Sequence, residues 1–210
     1  MALARMNSTR IRAVEMFGLM MRAVSGRYRI DGNTDTAQCV VALAFGYRLI
    51  RAGVREPGPC NEYLAARALT TSNGRPIVAQ AEIDQAIRSV RPSIGADHVI
   101  GSARDPKRYL DTYELAVQVH AIMNRYGWKT AVLIAHPHHL PRAQAVFSTL
   151  GIHTVTCAGV RPIWDSKSSQ SWTRGPLRWA IREPFAIWLS ERRGWLRLSR
   201  PEMNNIYLTR

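Results

Sequence analysis

His136, His138, His139 and Arg142 stand close together in Ala135-His-Pro-His-His-Leu-Pro-Arg142-Ala143. Imidazole is the side chain that gains or loses a proton near neutrality and a frequent metal ligand, while guanidinium offers a planar fork to phosphate or carboxylate. Upstream, Asp111 and Glu114 lie three residues apart in Asp111-Thr-Tyr-Glu-Leu-Ala116. That spacing is a capping box, in which each side chain covers backbone donors of a helix's first turn. It equally suits a carboxylate that faces a pocket as a base or polar partner. Together these residues suggest an anion held by Arg142 and the free N–H groups of a helix start, with His139 as acid–base group and Asp111 or Glu114 beside it. A metal is not expected, because no companion His-Glu pair at helical spacing accompanies the histidines.

Regular elements must hold these groups in place. Leu115, Val119, Ile122 and Tyr126 recur at helical spacing after Asp111, and Gly127 is a stop signal. Trp128 to Ala135 is a short apolar run with no charge after Lys129, as in a parallel strand covered on both faces. Pro141 suits the first turn of the next helix, whose apolar stripe is Ala143, Val146, Phe147 and Leu150, and Gly151 closes it. Residues 152–157 read as a further strand. The histidines and Arg142 therefore fall where a buried strand ends and a helix begins, which is where open α/β sheets bind ligands.

The same alternation runs upstream. Strands are expected at 39–45 and 76–80, with a short one at 98–100, and helices at 62–69 and 82–90, separated by the turn Ser72-Asn-Gly74. This pattern predicts one three-layer α/β/α sandwich with a mostly parallel, Rossmann-like sheet. Gly46, just past the first strand, either admits a ligand close to the backbone or makes a turn; Gln80 and Glu82, at the end of the second strand, are candidate polar contacts. With His136 and His138 they complete the candidate ligand-binding set around Arg142.

The residues of this stretch resemble those of the YdcF-like (SanA/ElyC) family, in which Asp-Thr-x-Glu-Asn-Ala precedes a strand ending in Thr-x-x-Tyr-His-x-Pro-Arg-Ala. Asp111, Thr112, Glu114, Ala116, His139, Pro141, Arg142 and Ala143 follow that pattern in order. Leu115, Ala135 and His138 depart from it, and Ala79-Gln-Ala-Glu82 replaces the family's Ser-Gly-Gly turn. The likeness covers roughly residues 39–190, weakly at Trp179-Ala-Ile-Arg-Glu183. It implies a Rossmann-like domain whose members are connected with envelope biogenesis and, in one case, with binding S-adenosylmethionine. The expected function is an enzyme of the transferase or hydrolase type, acting on or binding a small anionic or nucleotide-like metabolite. The alternative is a non-catalytic ligand-binding protein whose basic ends dock on nucleic acid or anionic lipid.

Charge is the unusual feature of the composition. The 210 residues carry a formal net charge of +14. Residues 1–30 hold six arginines against Glu15, and residues 159–210 hold ten Lys/Arg against four acids, so the middle is nearly neutral. Such ends attract polyanions, although no zinc-finger, RNP-like or basic-zipper pattern accompanies them. The expected organisation is a basic helical extension at 1–30, the α/β domain at 31–195 and a basic tail at 196–210. No Gly-x-Gly-x-x-Gly follows Phe45, which argues against an ordinary dinucleotide site. No apolar run approaches the roughly 20 residues needed to span a bilayer, and Cys39, Cys60 and Cys157 lack metal-ligand spacing, so a cytoplasmic protein with core thiols is expected.

Overall fold

A computed structural model describes residues 2–30, 33–50 and 53–196, with side chains from Arg12 onward. In chain order the elements are α1 (Ala2–Ser25), β1 (Cys39–Ala42), β2 (Arg48–Leu49), β3 (Arg55–Glu56), α2 (Gly58–Ser72), β4 (Ile77–Gln80), α3 (Ala81–Val90), β5 (His98–Ile100), α4 (Thr112–Arg125), β6 (Thr130–Ile134), α5 (Leu140–Thr149), β7 (His153–Val155) and α6 (Pro176–Arg192). Five strands form one parallel sheet in the order β5-β4-β1-β6-β7. From β1 the chain steps outward to β4 and β5, then crosses back to β6 and β7 on the other side. That reversal is the defining feature of a Rossmann-like sheet, and it opens a crevice between the carboxyl ends of β1 and β6. Right-handed crossovers then place α2 and α3 on one face and α4 and α5 on the other. The protein is a three-layer α/β/α sandwich.

Burial follows from this arrangement. Val40, Val41, Val132, Leu133 and Ile134 are wholly enclosed, since a central parallel strand has helices over both faces. β1 stops at Ala42, earlier than its apolar run, because the chain beyond Leu43 turns to other partners: Ala44 N–H donates to Gln80 Oε1 at 2.7 Å and Phe45 N–H to Asn61 Oδ1 at 2.8 Å. The antiparallel pair β2–β3 is an addition that the alternating pattern does not announce.

α1 packs against α6 and α5, with Leu19 and Ala23 buried in the core. Near its end, the Ala23 carbonyl meets His138 in the loop that follows β6. The expected basic tail lies outside the described residues beyond Leu196. Among the described residues no helix is long and apolar enough to cross a membrane. Cys39, Cys60 and Cys157 are free thiols, and burial pushes Cys39 up to about 12.

Candidate functional site

A cavity of about 490 Å³ opens at the crevice. Its floor is the loop after β1, with Gln80 at the end of β4. Its sides are the 108–112 segment entering α4 and the start of α5, and α6 forms its roof. Each wall is held by identifiable bonds.

Asn61 secures the floor. Wholly buried on α2, its side chain accepts from Phe45 N–H and donates to the carbonyls of Gly46 and Pro57, each at 2.7 Å. Gly46 has φ +78°, and a Cβ there would collide with the hydroxyls of Thr173 and Ser168, which are 2.7 Å apart. Glycine is therefore required both by conformation and by the close approach of the segment that precedes α6. Arg48 anchors that segment through a two-pronged ion pair with Asp165 at 2.7 and 2.8 Å, which holds the Asp165 carboxyl below its usual range.

The three histidines occupy three environments. His136 is wholly buried, stacked on Phe45 at 3.8 Å, and set against the edge of Trp164. Its Nδ1 accepts from His138 N–H at 3.3 Å, and its Nε2 is buried without a partner among the described residues. His138 donates from Nδ1 to Ala23 O of α1 at 3.1 Å and fills the space beside Gly26. His139 alone borders the cavity, its Nε2 lying 3.2 Å from Thr112 Oγ1. Burial, assisted by the neighbouring guanidinium of Arg142, drives His139 well below the usual imidazole range, so the ring is neutral.

Thr112 links that ring to a buried ion pair. Arg142 Nη1 donates to Thr112 Oγ1 at 2.7 Å, and Arg142 Nε donates to Glu183 Oε1 at 2.5 Å. Having accepted from the guanidinium, the hydroxyl can donate its own proton to His139 Nε2, which leaves the ring proton on Nδ1. That atom is buried with no partner among the described residues. Glu183 is wholly buried, and burial raises its carboxyl against the opposing pull of Arg142.

Cations dominate the rest of the lining. Among the described residues, Arg108, Arg182 and Arg193 join Arg142 there, against Asp111 as the one carboxylate on the wall. Arg182 lies over the Trp172 ring at 4.2 Å, and burial together with Arg142 lowers its pKa. Trp172, Trp179 and Trp195 supply flat apolar surface. A smaller cavity of about 200 Å³ adjoins this one and shares Gly46, Gln80, Arg108 and Tyr109 with it.

The structure thus brings His139, Arg142, Asp111, Gly46 and Gln80 to one cavity. Asp111 also caps α4, accepting Glu114 N–H at 2.9 Å. Glu82 borders the smaller cavity and takes a hydrogen bond from Arg55 at 3.2 Å. Glu114 faces elsewhere: Arg104 grips both its oxygens at 2.9 and 3.0 Å and holds its carboxyl at about 2. His136 and His138 brace the loop and do not border the larger cavity. Thr112, Arg108, Arg182, Arg193 and the tryptophans are the site residues that sequence reasoning misses. No group of three His, Cys, Asp or Glu among the described residues is arranged to hold a metal.

Fold and cavity place the chain among Rossmann-like α/β sandwiches with a basic pocket at the strand-order reversal. Compared with known proteins, it matches no family model, no curated protein and no solved structure.

Proposed function

We propose that the protein is an enzyme of the YdcF-like kind that binds a small phosphate- or carboxylate-bearing, nucleotide-like metabolite in the larger cavity and acts on it. The observation that carries this reading is the charge of the lining, four arginines against one carboxylate among the described residues, at the crevice of an open α/β sheet. Arg142 already has Glu183 and Thr112 as partners, so Arg182, Arg108 and Arg193 are the guanidiniums available to an anion. The tryptophans suit a base or other planar group. His139, neutral and linked through Thr112 to Arg142, borders the cavity as the candidate acid–base group. S-adenosylmethionine, which the family resemblance suggests, fits less well, since its sulfonium cation would sit among four guanidiniums.

A second reading is a ligand-binding protein without turnover. It is favoured by the scarcity of free acid–base groups: Glu114 is ion-paired outside the cavity, Asp111 is spent in part on a helix cap, and His139 is fully enclosed.

Thermal-shift titration with inorganic pyrophosphate, nucleoside phosphates and S-adenosylmethionine tests the binding. A ligand at 100 times its Kd adds about 2.7 kcal/mol. Phosphate-bearing probes should stabilise the protein, and Arg182→Ala should remove that response while leaving the unliganded melt in place. Asp111→Asn keeps the cap and should melt within about 0.5 kcal/mol of wild type. A changed response in that variant assigns Asp111 to the ligand as well as to the cap. Indifference of the wild-type protein to every phosphate-bearing probe sinks the anion reading.

A further inference from the structure

α6 has three distinct faces. At 100° per residue, Leu177, Ile181, Phe185 and Trp188 fall within an arc of roughly 80°. All four are exposed, Leu177 at 74% and Ile181 at 73%. Trp179, Glu183, Ile187 and Ser190 occupy the opposite, buried side. Between the two run Arg182, Ala186, Leu189 and Arg193, which line the larger cavity together with Phe185 at the edge of the stripe and Trp179 and Ser190 at the edge of the buried side. The exposed stripe spans about 16 Å along the helix axis.

α1, packed beside α6, repeats the arrangement. Leu19 and Ala23 face the core, while Val14, Phe17 and Met21 recur on the outer side, Phe17 at 64% exposure. Surface apolar residues scattered singly are ordinary, but a run of seven on two adjoining helices marks a surface that contacts something.

The charges around the stripe say what that is. Arg178 and Arg192 are exposed at its flanks, and Arg192 lies over the Trp188 ring at 5.0 Å. Arg22 is exposed on α1 next to Met21. The acids of α6 are absent from this surface, Glu183 being buried and Glu191 partly so. A second copy would bring the same cations against these, on a chain whose net charge is +14. An anionic bilayer brings the opposite sign, and it accepts apolar side chains at the headgroup boundary with tryptophan and arginine beside them.

We propose that the outer faces of α6 and α1 dock this protein on the surface of an anionic phospholipid bilayer, lying in the interface without crossing it. The cavity mouth then opens beside the membrane, because Arg182 and Arg193 are one helical face away from Ile181 and Trp188. The proposal stands whatever the cavity binds.

Co-sedimentation of the full chain with phosphatidylcholine vesicles, alone or mixed with phosphatidylglycerol, tests it. Wild type should partition onto the mixed vesicles and only weakly onto the neutral ones. The double variant Leu177→Gln, Ile181→Gln, which leaves the core untouched, should keep the wild-type melting temperature and partition about tenfold less. Arg178→Ser should lose about fivefold. Absence of binding to the mixed vesicles overturns the proposal, as does a double variant that binds like wild type. A wild-type dimer in sedimentation velocity that the double variant dissolves would assign the face to a second copy, and the membrane docking would then be wrong.

Discussion

Replacing Glu183 by Gln should destabilise the protein and, at the same time, strengthen its response to anions. Glu183 is wholly buried and its side chain meets an Arg142 side chain that is only 11% exposed. Removing one member of a buried ion pair typically costs about 3–5 kcal/mol, because the surviving charge is left uncompensated in a medium that solvates it poorly. Gln still offers an oxygen to Arg142 Nε, which retains one ordinary hydrogen bond and puts the expectation near the lower end, about 3 kcal/mol. Nearby Arg182 adds to the penalty, since it already bears the repulsion of Arg142. An anion entering the cavity would supply the missing negative charge, so the variant should recover more stability from pyrophosphate than wild type gains. Urea unfolding with and without pyrophosphate measures both quantities. A loss below about 1 kcal/mol, with an unchanged anion response, would refute the reasoning that this pair holds a buried positive charge in check beside the cavity.

Asn61→Ala should cost about 2–4 kcal/mol in denaturant unfolding, because it orphans the Phe45 N–H and the Gly46 and Pro57 carbonyls at once. Gly26→Ala should be more damaging than Gly127→Ala by at least about 1 kcal/mol. Both glycines have φ near +70°, but a Cβ at Gly26 would lie 2.7 Å from His138 Nε2 whereas nothing lies within 4 Å at Gly127, so comparing their unfolding midpoints isolates the contact. Glu114 should contribute stability above its usual value of about 4.3 that fades as pH falls through the folded value of about 2, since Arg104 favours the charged form. Melting curves across that window should show wild type losing its advantage over Glu114→Gln.

Signals carried by neighbouring residues were legible in the sequence. Asp111 caps α4 and Pro141 sits in the first turn of α5, as their spacing predicts, and the apolar runs around Val40 and Leu133 are central strands. His139 and Arg142 reach the cavity because a strand-to-helix junction in a parallel sheet has only one edge to occupy. What escaped reading depends on distant partners. Glu114 pairs with Arg104, ten residues back in an irregular stretch, and so turns from the cavity. Arg182, Arg193 and Trp172 come from the closing segment, whose sequence signals were its excess of basic residues and a weak family likeness at Trp179-Ala-Ile-Arg-Glu183; the pairing that brings it over β1 runs through Arg48–Asp165 and Ser169–Leu49, more than a hundred positions apart. β1 ended early because Asn61 and Gln80 compete for its amides, which no local pattern announces.

The loop 136–139 has a consequence for how the molecule tolerates change. Its imidazoles look interchangeable in a row, yet one stacks on Phe45, one ties down the end of α1 and one borders the cavity. Three unrelated duties rest on one short bend, so drift at any of them is vetoed by a different part of the protein. A descendant that shed α1 would release His138 from its obligation to Ala23 and leave His136 and His139 bound to theirs.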